Sequence, residues 1–342
     1  MYQVMRLRPY QGAEEFLLKA PPKSLALADE FLSVATTTSL LVWRVSSRDR
    51  KAPARCVFIG GLQDSDRSGE VLAMSWCPSS REELALVLSD KTIRIYRWPY
   101  LQPASMRQSN RLRSYFHPQH VVRVKYCPSG DRLALTTGSS TIEVLDIGEN
   151  RVPTLLGVIE CARGDGSVVL AFDWQDYTNL VAAIRTETGR IHVRRYTLPG
   201  SSDAWNELAD NSVDIQRFLG IAADIIASQG KVTIAAYDEL SASITVQLPE
   251  GESRVFSCGA YPLPSGFSPV TLVEGGRGVV IWQDGAVRLY DARVASAVQQ
   301  LPSSPTGVLL AVSPRRFIYR QLVVTNREQG PSHRTPPFLH LV

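Results

Sequence analysis

An apolar–polar alternation recurs seven times at nearly even spacing, and few folds can absorb such a pattern. It appears as Leu40-Leu41-Val42-Trp43, Thr92-Ile93-Arg94-Ile95-Tyr96, Thr141-Ile142-Glu143-Val144-Leu145, Arg190-Ile191-His192-Val193-Arg194, Ser243-Ile244-Thr245-Val246-Gln247, Ala286-Val287-Arg288-Leu289-Tyr290 and Phe338-Leu339-His340-Leu341-Val342. The last residues of these segments are separated by 53, 49, 49, 53, 43 and 52 positions. Alternation at period two is the mark of a half-buried strand. A fixed period of this length, with little helical periodicity between the segments, marks repeated supersecondary units.

Most segments follow a second apolar strand and a tight polar turn, as in Leu84–Leu88 before Ser89-Asp90-Lys91, and Gly278–Trp282 before Gln283-Asp284-Gly285. Several have a third strand further upstream: Val71–Trp76, Val121–Tyr126 and Val168–Trp174. The turns Cys77-Pro78-Ser79-Ser80 and Cys127-Pro128-Ser129-Gly130-Asp131 follow two of these, with Pro and Gly supplying dihedrals that a strand interior rejects. Laid out as an open sheet, seven such units would expose long edges. Closing them about an axis leaves short, protected ones. The expectation is an all-β fold, a seven-bladed β-propeller forming a single domain over residues 1–342. The last segment ends at Val342 with no strand after it, while Tyr2-Gln3-Val4-Met5-Arg6-Leu7 alternates ahead of the first unit. Residues 2–8 are therefore expected to complete the last blade.

Composition bounds the function. With 44% apolar and 20% charged residues the chain reads as globular. It contains no apolar run of the roughly 18 residues that a membrane helix needs. Met1–Leu18 carries Arg6, Arg8, Glu14 and Glu15 in place of an apolar signal core, so no secretory signal is expected. Five cysteines form no C-x-x-C pair and are expected to be reduced thiols of a cytosolic or nuclear protein. The 37 basic residues, of which only six are lysine, exceed the acidic ones by a net charge of +4. That excess is too small for a nucleic-acid footprint, and direct nucleic-acid binding is not expected. The arginine bias fits either codon usage or a supply of planar donors for carboxylates, and composition does not choose between them.

The repeat resembles WD-repeat proteins. Ser89-Asp90-Lys91-Thr92-Ile93-Arg94-Ile95-Tyr96-Arg97 and Gln283-Asp284-Gly285-Ala286-Val287-Arg288-Leu289-Tyr290-Asp291 look like that family's turn aspartate and strand end. His117, four residues before Val121, stands where the family's Gly-His histidine belongs. In the family that His, the turn Asp and a Trp share a hydrogen-bond network that locks a blade. Here no unit has all three. A narrower resemblance lies in the last third: Arg254–Cys258, Phe267–Thr271, the Asp284-Gly285 strand, Gly307–Ser313, Leu322–Glu328 and the ending Pro336–Val342. These segments are similar to the mitotic-checkpoint WD-repeat adaptors, partners of the budding-uninhibited kinases, and to their sister messenger-RNA export factor at nuclear pores.

The resemblance implies a rigid, non-catalytic adaptor in the nucleus, at the kinetochore. It would bind a short acidic or phosphorylated motif of a checkpoint-kinase-like or kinetochore scaffold protein. Arginines near the propeller axis would pair with that motif's carboxylates. The family's arginine on the turn into the fifth unit has no match, because Asp238–Ile244 contains no Arg, and Cys258 is followed by Gly259-Ala260. A Gly-Arg pair does occur one unit earlier, at Gly189-Arg190, with Arg185 nearby. Arg185 and Arg190 are therefore the candidate partner-binding residues. The alternatives are the nuclear-pore and export branch, a coat or trafficking propeller, cytoplasmic in the last case, and a propeller enzyme.

Other motifs carry less. Asp64–Gly69 opens like a calcium loop but has Ser75 where the closing Glu belongs, so a solvated loop is expected. Arg163-Gly164-Asp165 reads as a hairpin turn. The histidines show no metal-ligand spacing, and there is no nucleophile elbow, phosphate loop or nucleotide fingerprint, so no metal or cofactor is expected. Trp76, Trp174 and Trp282 read as core or inter-blade residues. The polar stretch Ser201–Gln216, with Trp205, reads as an exposed helical insertion, and Arg107–Arg113 as the most basic loop.

Overall fold

The computed structural model describes residues 16–17, 24–27, 31–35, 39–44, 55–61, 63–64, 67–68, 70–79, 83–97, 111–148, 152–161, 166–198, 212–220, 222–228, 231–249, 251–257, 270–273, 278–283, 286–292, 296–301, 308–312, 321–325 and 338–341. Among these residues the strands form seven four-stranded antiparallel sheets and one two-stranded ribbon. Sheet 1 holds Ser24–Leu27, Phe31–Ala35, Ser39–Arg44 and Arg55–Gly61. Sheet 2 holds Val71–Trp76, Glu83–Leu88, Thr92–Arg97 and Arg111–Phe116. Sheet 3 holds Arg123–Tyr126, Arg132–Thr136, Thr141–Asp146 and Thr154–Glu160. Sheet 4 holds Val168–Trp174, Asn179–Arg185, Arg190–Thr197 and Ser212–Leu219. Sheet 5 holds Ala222–Ser228, Lys231–Asp238, Ser243–Gln247 and Ser253–Ser257. Sheet 6 holds Val270–Val273, Gly278–Gln283, Ala286–Asp291 and Ser296–Leu301. Sheet 7 holds Val308–Val312, Gln321–Thr325, Phe338–Leu341 and Phe16–Leu17.

All seven recurring segments are the third strands of these sheets. In sheet 7 the fourth strand comes from the start of the chain, with Phe16 opposite Leu339 and Leu17 opposite Phe338. Residues 2–8, expected in that place, lie outside the described residues. Three further expectations change. Ser212–Gln216 is not helical but opens the fourth strand of sheet 4, where Val213 and Ile215 supply the strand alternation; residues 201–211 lie outside the described residues. Arg111–Arg113 likewise begin a strand, with Arg113 opposite Ile95, because Tyr115 and its neighbours pair along Thr92–Arg97. The calcium-like segment is the ribbon, Asp64 paired with Arg67, and Ser75 stands in the first strand of sheet 2. Arg163–Asp165, Trp205 and Arg107–Asn110 lie outside the described residues.

Contacts group the chain into two compact units, residues 22–218 and residues 1–21 with 219–342. In the first unit the core lies between successive sheets. Second strands are buried on both faces, and their alternation divides them between two interfaces. Leu84, Leu86 and Leu88 pack with Ala35, Leu40 and Val42 of sheet 1, while Ala85 and Val87 pack with Val124, Leu133 and Leu135 of sheet 3. Ala134, Ile142 and Val144 face the other way, onto Phe172, Trp174, Leu180 and Ile184 of sheet 4. Each such Leu, Ile or Phe taken from water contributes about 1.5–3 kcal/mol. The second unit repeats the scheme, with Ala235, Tyr237, Ile244, Val246 and Phe256 of sheet 5 against Val270, Leu272 and Val279 of sheet 6.

A bulge recurs between third and fourth strands at Val42/Trp43, Ile95/Tyr96, Val144/Leu145 and Leu289/Tyr290. One extra residue at the same place increases the local twist of each sheet. The repeat is thus kept in backbone geometry where its side chains have diverged. Cys77, Cys127 and Cys161 are free and buried.

Candidate functional site

Within residues 22–218 the antiparallel order sends two things to the same end of each sheet: the turn between second and third strands, and the connection into the first strand. Side-chain ties join sheets 2, 3 and 4 near the opposite end, where their first strands finish. Tyr126 N–H donates to Ser75 Oγ at 3.2 Å, Trp174 Nε1–H donates to the Lys125 carbonyl at 3.2 Å, and Lys125 Nζ lies 2.8 Å from Asp173 Oδ1. Trp174 is buried between sheets, as expected, and Trp76 is buried in the core shared by sheets 1 and 2.

The ends that carry the second-to-third-strand turns are each locked by different chemistry. In sheet 2, Asp90 Oδ1 accepts from Thr92 N–H at 2.9 Å and from Thr92 Oγ1 at 2.5 Å, and Asp90 Oδ2 lies 3.1 Å from Arg94 Nη2. The alternation of Asp90, Thr92 and Arg94 puts a buried guanidinium on the third strand, a residue the sequence reading missed. Burial opposes ionisation of Asp90, but the bonds from Thr92 and Arg94 outweigh it and hold the carboxyl below its ordinary value. In sheet 3, buried His117 reaches Glu143 Oε1 through Nε2 at 3.0 Å. Unprotonated Nδ1 can accept from Gln119 N–H at 3.0 Å, and protonated Nδ1 can donate to the Gln119 carbonyl at 2.8 Å. In both states Nε2–H donates to Glu143. The His anticipated from the WD pattern is in place, and its carboxylate comes from the third strand instead of the turn.

The candidate arginines flank the turn of sheet 4. Thr186 N–H donates to the Arg190 carbonyl at 2.8 Å and Gly189 N–H to the Thr186 carbonyl at 3.0 Å. Gly189 supplies φ of 75°, the left-handed conformation that glycine adopts at least cost. The register sets Arg185 opposite Ile191 and Ile184 opposite His192. Arg185 and Arg190 therefore belong to opposite faces of the sheet, so they do not form one cation pair. Arg190 is exposed, and Arg185 is half-buried. Glu187 adds a carboxylate to the same turn and covers Gly166, where a side chain would collide with it. Further down the Arg190 face, Arg194 Nη1 and the Tyr196 hydroxyl both donate to the Cys161 carbonyl, at 3.0 and 3.1 Å. Burial pushes the Cys161 thiol up to about 12, so it is neutral near pH 7 and not a ready nucleophile.

The same end also exposes His120, Arg123, Phe116 and Val122, with Lys91 half-buried and its Nζ donating to the Pro118 carbonyl at 2.9 Å. Most of this surface is one continuous stretch, 116–123, joining sheets 2 and 3, but its exposure is not a property of residue spacing. Among the described residues no group of three His, Cys, Asp or Glu side chains could hold a metal ion.

In the other unit, the turn of sheet 5 that lacks the family's arginine carries Leu240 at its tip, 96% exposed. Asp238 closes that turn: Oδ1 accepts from Leu240 N–H at 3.1 Å and Oδ2 from Ser241 Oγ at 2.7 Å. Its exposed charge is Glu239, which does not suit an acidic ligand.

No protein-family model matches the chain, and no curated protein matches it. Among solved structures, the β-propeller domain of Cps50 (Swd1) from Myceliophteria thermophila is similar, with a TM-score of 0.62 at 13% identity, covering 96% of this chain and 99% of that one. The fold defined by the sheets and by this likeness is that of an all-β β-propeller.

Proposed function

We propose that the chain is a non-catalytic WD-like adaptor, a divergent spindle-checkpoint or kinetochore component of the nucleus. It captures a short acidic or phosphorylated segment of a larger, kinase-like partner. The observation that carries this reading is the turn-bearing end of sheets 2 to 4, where His120 and Arg123 are exposed in one stretch with Phe116 and Val122, and Arg190 is exposed beside the turn of sheet 4. Arginines held on rigid turns favour planar carboxylate or phosphate groups through charge-assisted bonds. Neighbouring apolar side chains add desolvated contact area, which is where interface energy concentrates. The C-terminal resemblance, which the checkpoint and the pore and export branches share, supports that pair over the coat and enzyme alternatives. The acidic turn of sheet 5 moves the expected arginine contact to sheet 4.

The test is binding of a glutamate-rich peptide with interspersed leucines, measured by fluorescence anisotropy. Arg190→Glu should weaken binding by about tenfold or more, with an unchanged circular dichroism spectrum. Equal affinity removes Arg190 from the site. Tagged protein should form chromosomal foci in mitosis, and a diffuse or vesicular signal at every stage counts against the checkpoint assignment.

A further inference from the structure

The basic stretch Arg107–Arg113 leads directly into a serine. Arg111 stands three residues before Ser114, and Arg113 one before it. Kinases that select basic substrates read guanidinium groups upstream of the acceptor hydroxyl through carboxylates of their own. The spacing alone is common, and recurs among the described strands at Thr154, Thr197, Ser257 and Ser296. The fold separates these positions by what faces them. Across the strand pair, Thr154 faces Asp146, Ser296 faces Asp291, Thr197 faces Asn179 and Ser257 faces Ser243. Of these five positions only Ser114 faces a cation, Arg94. A carboxylate opposite a new phosphate repels it, whereas a guanidinium receives it.

Ser114 is exposed and lies on the outermost strand of sheet 2, Arg111–Phe116, which pairs with Thr92–Arg97 on one side. A strand held on one side opens locally at lower cost than an inner strand, so it can enter a cleft as an extended segment. The phase of the ladder follows from His117 N–H, which donates to the Lys91 carbonyl at 2.8 Å. In an antiparallel ladder hydrogen-bonded pairs alternate with non-bonded ones. Ile93 and Tyr115 therefore exchange bonds, and Arg94 and Ser114 form a non-bonded pair. Such a pair sets its Cβ atoms about 4.5–5.5 Å apart on one face. Arg94 is only 4% exposed, with Nη2 3.1 Å from Asp90 Oδ2, so its guanidinium is fixed before any phosphate arrives.

We propose that Ser114 is a phosphorylation site for an arginine-directed serine kinase, and that the phosphate docks against Arg94 when the strand returns to its sheet. The γ-phosphoryl group of ATP passes to Ser114 Oγ: its bond to the ADP oxygen breaks, an Oγ–P bond forms, and the hydroxyl proton leaves to the kinase's base. The new dianion competes with Asp90 for the Arg94 fork through charge-assisted bonds. Neither the recognition nor the docking depends on what the propeller binds.

The test incubates the full chain with ATP and, as probe, the catalytic subunit of cyclic-AMP-dependent protein kinase, and maps the phosphate by mass spectrometry. Ser114 should be modified, and Arg111→Ala should slow its modification about tenfold or more. Phosphorus NMR should then find the second ionisation of the phosphoserine below its ordinary value of about 6, returning to that value in Arg94→Gln. Circular dichroism confirms that each variant folds. If Arg94→Gln does not, Arg94→Lys replaces it, keeping a charge without the planar fork and returning the ionisation part of the way. A folded chain left unmodified at Ser114 overturns the proposal, whether or not a free peptide of residues 107–118 is modified. A phosphate whose ionisation ignores the Arg94 variant overturns it equally.

Discussion

The His117–Glu143 pair makes a quantitative prediction about what holds sheet 3 to its neighbour. His117 is buried, its backbone N–H donates to the Lys91 carbonyl of sheet 2 at 2.8 Å, and its ring spans to Glu143 on the third strand of sheet 3. His117→Ala removes a bond to a charged acceptor, worth about 1.5–3 kcal/mol, and leaves a cavity. The cavity brings the total to about 3–5 kcal/mol, as for other buried ring deletions. Glu143→Ala costs less, because its side chain keeps some access to water. The informative quantity is the coupling. In a double-mutant cycle followed by urea denaturation, the double variant should cost about 1–2 kcal/mol less than the two singles together. Glu143→Gln, which preserves an acceptor for Nε2–H, should recover part of the loss. Additivity within about 0.5 kcal/mol would refute the lock, and so would a Gln variant no better than Ala.

The turn aspartates make stability sensitive to acid. Burial raises the carboxyls of Asp90, Asp131 and Asp176 but their hydrogen bonds outweigh it, and bonds from Ser241 and the turn amides hold Asp238 down, so all four titrate below the ordinary value. A lowered folded pKa gives stability that is complete above the unfolded value of about 3.9 and is lost as pH falls beneath it. Denaturation midpoints measured downward from pH 5 should fall below about pH 4, and less steeply for Asp90→Asn. Gly130 has φ of 84°, and a Cβ there would collide with Ser79 and Cys77 of the turn in sheet 2. Gly130→Ala should cost more than the roughly 1–2 kcal/mol of left-handed strain alone, whereas Gly251→Ala, with φ of 87° and open space around it, should cost only that strain; thermal unfolding ranks the two. Cys161, buried and held near 12, should resist iodoacetamide at pH 8 until denaturant is added, as read by mass-mapped alkylation.

The fold was legible because the seven third strands keep their alternation, and alternation is all that a sheet needs to choose its buried faces. Leu84–Leu88 reads as a continuous apolar run for a reason the sequence alone leaves open: its odd and even residues serve two different interfaces. The recurrent bulge was not legible, since it is a property of pairing between strands and not of any residue. Ser212–Gln216 misled because polar residues alternating with Val213 and Ile215 over a short stretch also suit an exposed helix. The candidate site was legible only in part. Spacing found the sheet 4 turn and His117, but not the register that puts Arg185 and Arg190 on opposite faces, nor the exposure of Phe116, His120 and Arg123 on the link between sheets 2 and 3.

The three locks explain how a propeller can persist while its repeat fades. Each turn must satisfy a few buried polar groups, but the physical demand is for a satisfied network, not for a particular set of residues. Sheet 2 meets it with an aspartate, a threonine and a buried arginine, sheet 3 with a histidine and a third-strand glutamate, and sheet 4 with Thr186 and a left-handed glycine. Once each unit has its own solution, substitution in one no longer needs an echo in the others, and a shared motif has nothing to preserve it. The apolar alternation cannot drift in the same way, because strands such as Glu83–Leu88 and Arg132–Thr136 pack against neighbouring sheets on both faces. That asymmetry is consistent with a likeness over 96% of the chain at only 13% identity. It also leaves the outermost strands free to differ.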